Sequence, residues 1–305
     1  MAVCRYGHRV AAWAEPDEDP AEGTREGGRR RWRWPAVALV IVLALGAGGY
    51  ALFQKVRPYL HGSGCEVRAA RDKMPLDLEQ GANAATIAAV AFRKQLPERA
   101  AVIAYATAIQ ESHIRNLPGG DRDSVGMFQQ RPSQGWGTPD KLRDPVQSTS
   151  KFFDALVKVK DYLDRDLHDA AQRVQRSADG RAYAQHESDG RLLARGFTGR
   201  DPAAVRCWYP PDKKTAPRRA EAIRELRRAF GSRLRVDPPQ GQAASESVRV
   251  TSGRAGWAVA SWAVTHAQVY GLAEVRYGGR RWNADEGHDG WAKDSGAPAD
   301  RVIIR

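Results

Sequence analysis

The sequence predicts a mainly α-helical protein with one membrane-length helix, a helical domain behind it and a small α+β domain at the C-terminal end. Three observations predict this. Residues 35–53 form one uncharged apolar run. Between residue 75 and about residue 230, apolar positions recur at helical spacing. After residue 245 the pattern becomes one helix followed by short strands around Gly278-Gly279, a hairpin signal. The chain has 305 residues, room for about two domains. Its 48 Lys and Arg exceed 36 Asp and Glu, for a net charge of +12. A basic balance suits a polyanionic partner, but no nucleic-acid motif accompanies it.

Residues 1–34 mix acidic residues, Gly, Pro and Arg without periodicity and read as a disordered tail. Residues 35–53 (PAVALVIVLALGAGGYALF) match a hydrocarbon core of about 30 Å at about 1.5 Å rise per residue. Arg25, Arg29, Arg30, Arg31 and Arg33 precede the run, so the positive-inside rule places the tail in the cytoplasm and the rest outside. Thirty-four residues before the run, and no small-x-small site after it, favour an uncleaved anchor over a signal peptide. Residues 54–74 read as a linker. Within 75–235, helices are expected over Leu78–Gln95, Glu98–Ile114, Ser150–Leu163, Asp169–Ser177, Asp201–Cys207 and Pro217–Phe230. A Pro/Gly linker at 236–244 precedes the module 245–305, with an amphipathic helix over Gly256–Tyr270 and strands at Glu274–Tyr277, Arg280–Asn283 and Arg301–Arg305. Cys65 and Cys207 both fall outside the membrane on this topology and bracket the helical domain. They are expected to form a disulfide, the alternative being two independent thiols. Cys4 falls in the tail. No Cys-x-x-Cys or His-x-x-x-His spacing signals a metal, and no cofactor is expected.

The most informative stretch runs from Ala101 to Gln130. Val102, Ala106 and Ile109 share one helical face, and Glu111 ends the apolar stretch. Burial and the negative end of a helix both favour the protonated form of a carboxyl group, the form that can give a proton to a glycosidic oxygen. A loop follows with Ser124-x-Gly126-x-x-Gln129. Glu111-Ser112 with this loop resembles the catalytic core of lytic transglycosylases and goose-type lysozymes. Through Arg131-Pro132-Ser133-Gln134-Gly135-Trp136-Gly137 it resembles a family of membrane-anchored lysozyme-like proteins of high-GC Gram-positive bacteria. The resemblance covers about residues 65 to 207. It implies a lysozyme-like helical domain, and a muralytic glycosidase that cuts the MurNAc–GlcNAc bond of peptidoglycan.

On this resemblance Glu111 is the general acid and then the base, and Asp121 is the first candidate for a second carboxylate, with Asp123 behind it. Gly126 is expected to let the backbone approach sugar, and Gln129 and Gln130 to bond an N-acetyl or hydroxyl group. Ser112 and Ser124 are expected to orient Glu111 or to act as ordinary caps. Tyr183 falls where the superfamily often carries a tyrosine near the acid. Trp136 reads equally as a sugar platform or a loop anchor. The module 245–305 faintly resembles the C-terminal half of a zinc carboxypeptidase-like domain without its metal-binding half, so it reads as non-catalytic packing or wall binding. Its Trp257, Trp262, Trp282 and Trp291 are expected mainly in a core. Peptidoglycan strands and the membrane are the expected partners, with envelope machinery as a further one. From another class comes a second reading, a wall-binding or envelope-complex component that keeps the fold without catalysis. The product, anhydro or reducing, stays open.

Overall fold

A computed structural model describes residues 33–60, 62–177, 180–232, 234–237 and 245–305. Residues 1–32, with Cys4 and most of the expected tail, and residues 238–244 of the expected linker lie outside the described residues. The described chain is mixed α/β with a helical majority. Contacts divide it into Met1–Phe53 and Gln54–Arg305.

The first unit contains most of α1 (Arg33–Leu60), 28 residues long. Leu39, Val40, Val42, Leu43, Leu45, Leu52 and Phe53 are all exposed. Among the described residues no helix is long and apolar enough to cross a membrane. Side chains at 33–38, 41 and 51 are outside that description, and the uncharged run 35–53 is continuous only when they are counted.

The second unit begins with β1 (Gly64–Ala69) and β2 (Asp72–Leu76), followed by α2 (Leu78–Arg93) and α3 (Glu98–Ser112). Next come α4 (Pro139–Leu142), α5 (Pro145–Leu156), α6 (Leu167–Gln175), α7 (Arg181–Ala184), α8 (Glu187–Phe197) and β3 (Val205–Trp208). Strands β2-β1-β3 form an antiparallel sheet, with Cys65 opposite Cys207 in register and the two joined by a disulfide. The stretch 64–74, read from sequence as linker, is therefore largely strand. The helix expected over Asp201–Cys207 is instead a turn entering β3. There Val205 and Cys207 point inward and alternate with Arg206 and Trp208, a period of two that pairing with β1 selects over helix.

Helix α2 starts on a capping box. The Asp77 carboxylate accepts from the Gln80 N–H at 2.8 Å, and Gln80 Oε1 accepts from the Asp77 N–H at 2.8 Å. Its other end of influence is the site: Gln80 Nε2 donates to His113 O at 2.9 Å and Asn83 Nδ2 to Ile114 O at 2.7 Å. Both acceptors follow α3 directly and have positive φ, 54° and 63°, so α2 satisfies carbonyls that the sharp helix end leaves free. Helix α3 is buried from Ala100 to Ile109 and packs against α2, α5, α6 and α8. Its alanines allow this density. Helix α8 comes closest at Gly190, where a Cβ would stand 2.8 Å from Val102 O. The sequence pattern had not marked α8 as a helix. Gly190 and Gly196 lower its propensity, while Gly190, Leu193, Ala194 and Phe197 are buried at helical spacing.

The chain continues through α9 (Arg219–Phe230), β4 (Arg235–Asp237), β5 (Glu246–Arg249), α10 (Gly253–Thr265), α11 (Ala267–Tyr270), β6 (Glu274–Tyr277), β7 (Arg280–Asn283), β8 (Trp291–Lys293) and β9 (Arg301–Ile304). These strands make a six-stranded antiparallel sheet in the order β4-β5-β9-β6-β7-β8. The β6–β7 hairpin turns at Gly278 and Gly279, with φ of 56° and 75°. Helix α10, expected to be amphipathic, is buried at every residue from Ala255 to Thr265. It lies between the sheet and α2, so no face is left for solvent. Trp262 and Trp282 are fully buried, Trp257 is buried and Trp291 half-buried. Trp282 Nε1 donates to Cys207 O at 3.2 Å and Trp291 Nε1 to Val205 O at 2.7 Å. The expected module 245–305 thus shares one compact unit with the helical core, and its tryptophans are core residues.

Candidate active site

Glu111 lies in the last turn of α3, half-buried rather than buried, at the wall of a cleft of about 600 Å³. Its Oε1 accepts a 2.6 Å hydrogen bond from the Tyr183 hydroxyl on α7. Tyr183 is only 2 % exposed. Burial first, then the Glu111 charge and the hydrogen bond to it, hold its phenol well above the usual range, so it remains a donor. The next turn of chain is fixed as well: Gln110 Oε1 takes a bond from Gln185 Nε2 at 3.3 Å and faces His186 Nε2 at 3.0 Å. The Glu111 carboxyl group is therefore oriented by α7 and not by its neighbouring serines. Ser112 Oγ donates to Met127 O at 2.7 Å, tying the helix end to the loop. Ser124 Oγ donates to Asp121 O at 2.7 Å and contacts Gln129 Oε1 at 3.1 Å.

The loop opposite Glu111 is pinned from beneath. Met127 and Phe128 are fully buried, and Phe128 stacks on Phe152 of α5 with ring centroids 4.5 Å apart. Gly126 has φ of 79°, and a Cβ there would stand 2.3 Å from Leu142 O. It does not line the cleft. The close approach it permits is to α4. Gln129 (φ 45°) lines the cleft, with its amide Nε2 turned to Gly126 O at 2.9 Å. Gln130 also lines it, though it is 1 % exposed. Its Nε2 donates to Ser148 O at 3.3 Å, and its Oε1 has no hydrogen-bond partner. The same holds for Gln175, whose Nε2 donates to Phe128 O at 2.7 Å while its Oε1 is unpartnered. In both, the carbonyl taking the N–H₂ bond fixes which amide atom is the oxygen.

The two candidate second carboxylates separate. Asp121 lines the cleft, with its side chain 91 % exposed and its nearest cation, Arg122 Nε, 3.9 Å away. Asp123 does not line it. Its carboxylate accepts from the Ser133 N–H at 2.7 Å and from Arg131 Nε at 2.9 Å. Those bonds, the Ser133 N–H first, lower its pKa to about 2. Asp123 is thus a loop clasp. Trp136 is half-buried at the cleft wall and also packs on the core, so it serves as both lining and anchor.

Of the residues singled out from sequence, Glu111, Asp121, Ser124, Gln129 and Gln130 come together around the cleft, with Tyr183 behind Glu111. Sequence reading gave no individual site role to Arg122, Arg131, Gln134, Gln175, Arg176 and Ser177, which also line the cleft. The last three come from the end of α6 and the turn after it, more than forty residues from the loop, and no local pattern marks them. Among the described residues no group of three or more His, Cys, Asp or Glu could hold a metal ion. No protein-family model matches the chain, and no curated protein matches it significantly.

Proposed function

We propose that this protein is a muralytic glycosidase acting on the MurNAc–GlcNAc bond of peptidoglycan, with Glu111 as its acid and base. One observation carries the reading: a carboxyl group fixed by a buried tyrosine hydroxyl at 2.6 Å, at the wall of a polar cleft fronted by the Ser124–Gln130 loop. Glycan cleavage needs a positioned proton donor beside an oxocarbenium-like centre. Protonated Glu111 gives its proton to the glycosidic oxygen as the bond to C1 breaks, and the substrate's acetamido oxygen closes on C1. The Glu111 carboxylate then takes the proton of the 6-hydroxyl, whose oxygen displaces the acetamido group and leaves a 1,6-anhydro end. The exposure of Asp121 favours this course over hydrolysis, because no donor holds that carboxylate where it would position a water.

The test is product release from purified peptidoglycan by the full-length chain and by Glu111→Gln. General acid–base help is worth about 10²- to 10⁴-fold, so the variant should be nearly inactive with an unchanged melting temperature. Mass analysis should find anhydro ends. Equal rates for the two proteins would remove Glu111 from the mechanism; wall binding without cleavage by either would favour a non-catalytic wall-binding component.

The proposal includes an uncleaved anchor at Pro35–Phe53, with the cleft outside the cell. The apolar side chains described along α1 are exposed on successive positions, and an exposed apolar helix face suits lipid. Protease added to wall-stripped cells should digest the Glu111 segment. Its protection would reverse the topology.

A further inference from the structure

The cleft at Glu111 continues into a second depression of about 690 Å³, and Gln134, Trp136 and Arg176 line both. The second part differs in chemistry. Val157, Val159 and Val174 give it apolar lining, and Lys151, Lys158 and Arg176 bring positive charge. The other charges there are already matched: Arg173 pairs with Asp169 at 3.0 Å and Asp154 with Lys94 at 2.7 Å. Among the described residues, Lys151, Lys158 and Arg176 have no ion pair and no side-chain hydrogen bond. Uncompensated charges of one sign along a concave surface focus their field into it and favour an anion there.

We infer that this groove seats the carboxylate-bearing peptide attached to the glycan, so that the protein selects peptide-substituted strands over bare ones. The inference rests on the reading of the cleft as a peptidoglycan site and deepens it. The glycan in an intact strand is neutral along its sugars, because the lactyl carboxyl is consumed in the amide to the peptide. Negative charge on such a strand comes from the peptide, as do small apolar side chains. The groove offers the complement of both, and its continuity with the cleft at Trp136 and Arg176 places that complement beside the sugar chain. A phosphate-rich wall polymer would match the lysines and arginine but would leave the valine floor unused.

The test is binding, made on the full-length Glu111→Gln chain so that nothing is cleaved. The probes are purified peptide-bearing glycan strands and the same strands with their peptide carboxylates converted to amides. We expect about 10-fold tighter binding to the untreated strands, as a few solvent-exposed charge pairs supply, with the difference shrinking as salt rises. Adding Lys151→Ala and Lys158→Ala, which line only the second depression, should abolish most of the difference and leave binding to the amidated strands unchanged. The charge-keeping pair Lys151→Arg and Lys158→Arg should retain it, which separates charge from any loss of fold. Equal binding to both strand types, a preference that survives the alanine set, or tighter binding to a phosphate-rich wall polymer would overturn the inference. Equal binding leaves the proposed cleft chemistry standing, whereas binding to neither strand type would fail both.

Discussion

At the scale of single residues, the decisive contact is the one between Tyr183 and Glu111. On the proposed mechanism Glu111 gives and then takes a proton, which asks for a fixed orientation more than for deep burial. Tyr183→Phe keeps the ring in its buried seat and removes only the hydroxyl. Stability should change by about 1 kcal/mol or less, since one hydrogen bond and its desolvation nearly offset. Cleavage of peptidoglycan should fall by about 10- to 100-fold through kcat, because the acid is then free to turn away. A loss confined to KM would show that Tyr183 shapes binding and does not orient the acid. Glu111 was legible in the sequence from its place after an apolar stretch and before a Gly/Gln loop. Gln175 was not legible, because its one distinguishing property, an orphaned acceptor beside the cleft, exists only when α6 packs on Phe128.

At the scale of elements, α10 shows how burial turns a local feature into a pH dependence. His266 caps its end, with its ring stacked on Trp262 at 3.9 Å and its Nδ1 2.9 Å from Trp262 O. Thr265 Oγ1 and Tyr270 are its other close neighbours. Loss of solvent around the ring lowers its pKa from 6.5 to about 4, only partly offset by the Trp262 carbonyl. In the unfolded chain the ring gains its proton below about 6.5, whereas in the fold it stays neutral down to about 4. The unfolded state therefore binds more protons in that window, and stability falls as pH drops from about 6.5 to 4, then levels off. The loss amounts to at most about 3 kcal/mol and is reduced because the residue is only half-buried. His266→Gln should flatten the melting temperature between those pH values relative to the native chain. Parallel profiles for the two proteins would show that His266 does not carry the effect. Across the elements in general, those with a strong local signal were readable: the helix beginning at Leu78 and the Gly278-Gly279 hairpin. Helix α8 was not, since two glycines hide its spacing.

At the scale of the whole molecule, the helical core and the C-terminal sheet pack together in one compact unit. Indole N–H groups of Trp282 and Trp291 end on β3 carbonyls, and α10 fills the space between α2 and the sheet. The Cys65–Cys207 disulfide closes a span of 142 residues within the same unit, which in chain-entropy terms is worth up to about 5 kcal/mol. Deleting residues 245–305 would uncover the buried surface of α2 and leave β3 without a covering layer. The truncated chain should lose cooperative melting or aggregate on expression, where a wall-binding module could be removed with catalysis intact. A truncated protein with native melting temperature and full activity would restore the two-module view.

What the sequence by itself determined is local. The uncharged run at 35–53, the Gly278-Gly279 hairpin and the placing of Glu111 before the Ser124–Gln130 loop each lie within a window of some twenty residues. Within such a window, periodicity and turn chemistry decide the backbone. The tertiary structure alone decided which distant partners complete these pieces. Tyr183 reaches Glu111 from 72 residues away, and β3 pairs with β1 across most of the helical core. The stretch 64–76 forms a hairpin whose first strand β3 extends. Such pairings are set by which surfaces exclude water together and which buried polar groups find partners, and neither condition is written in any one segment.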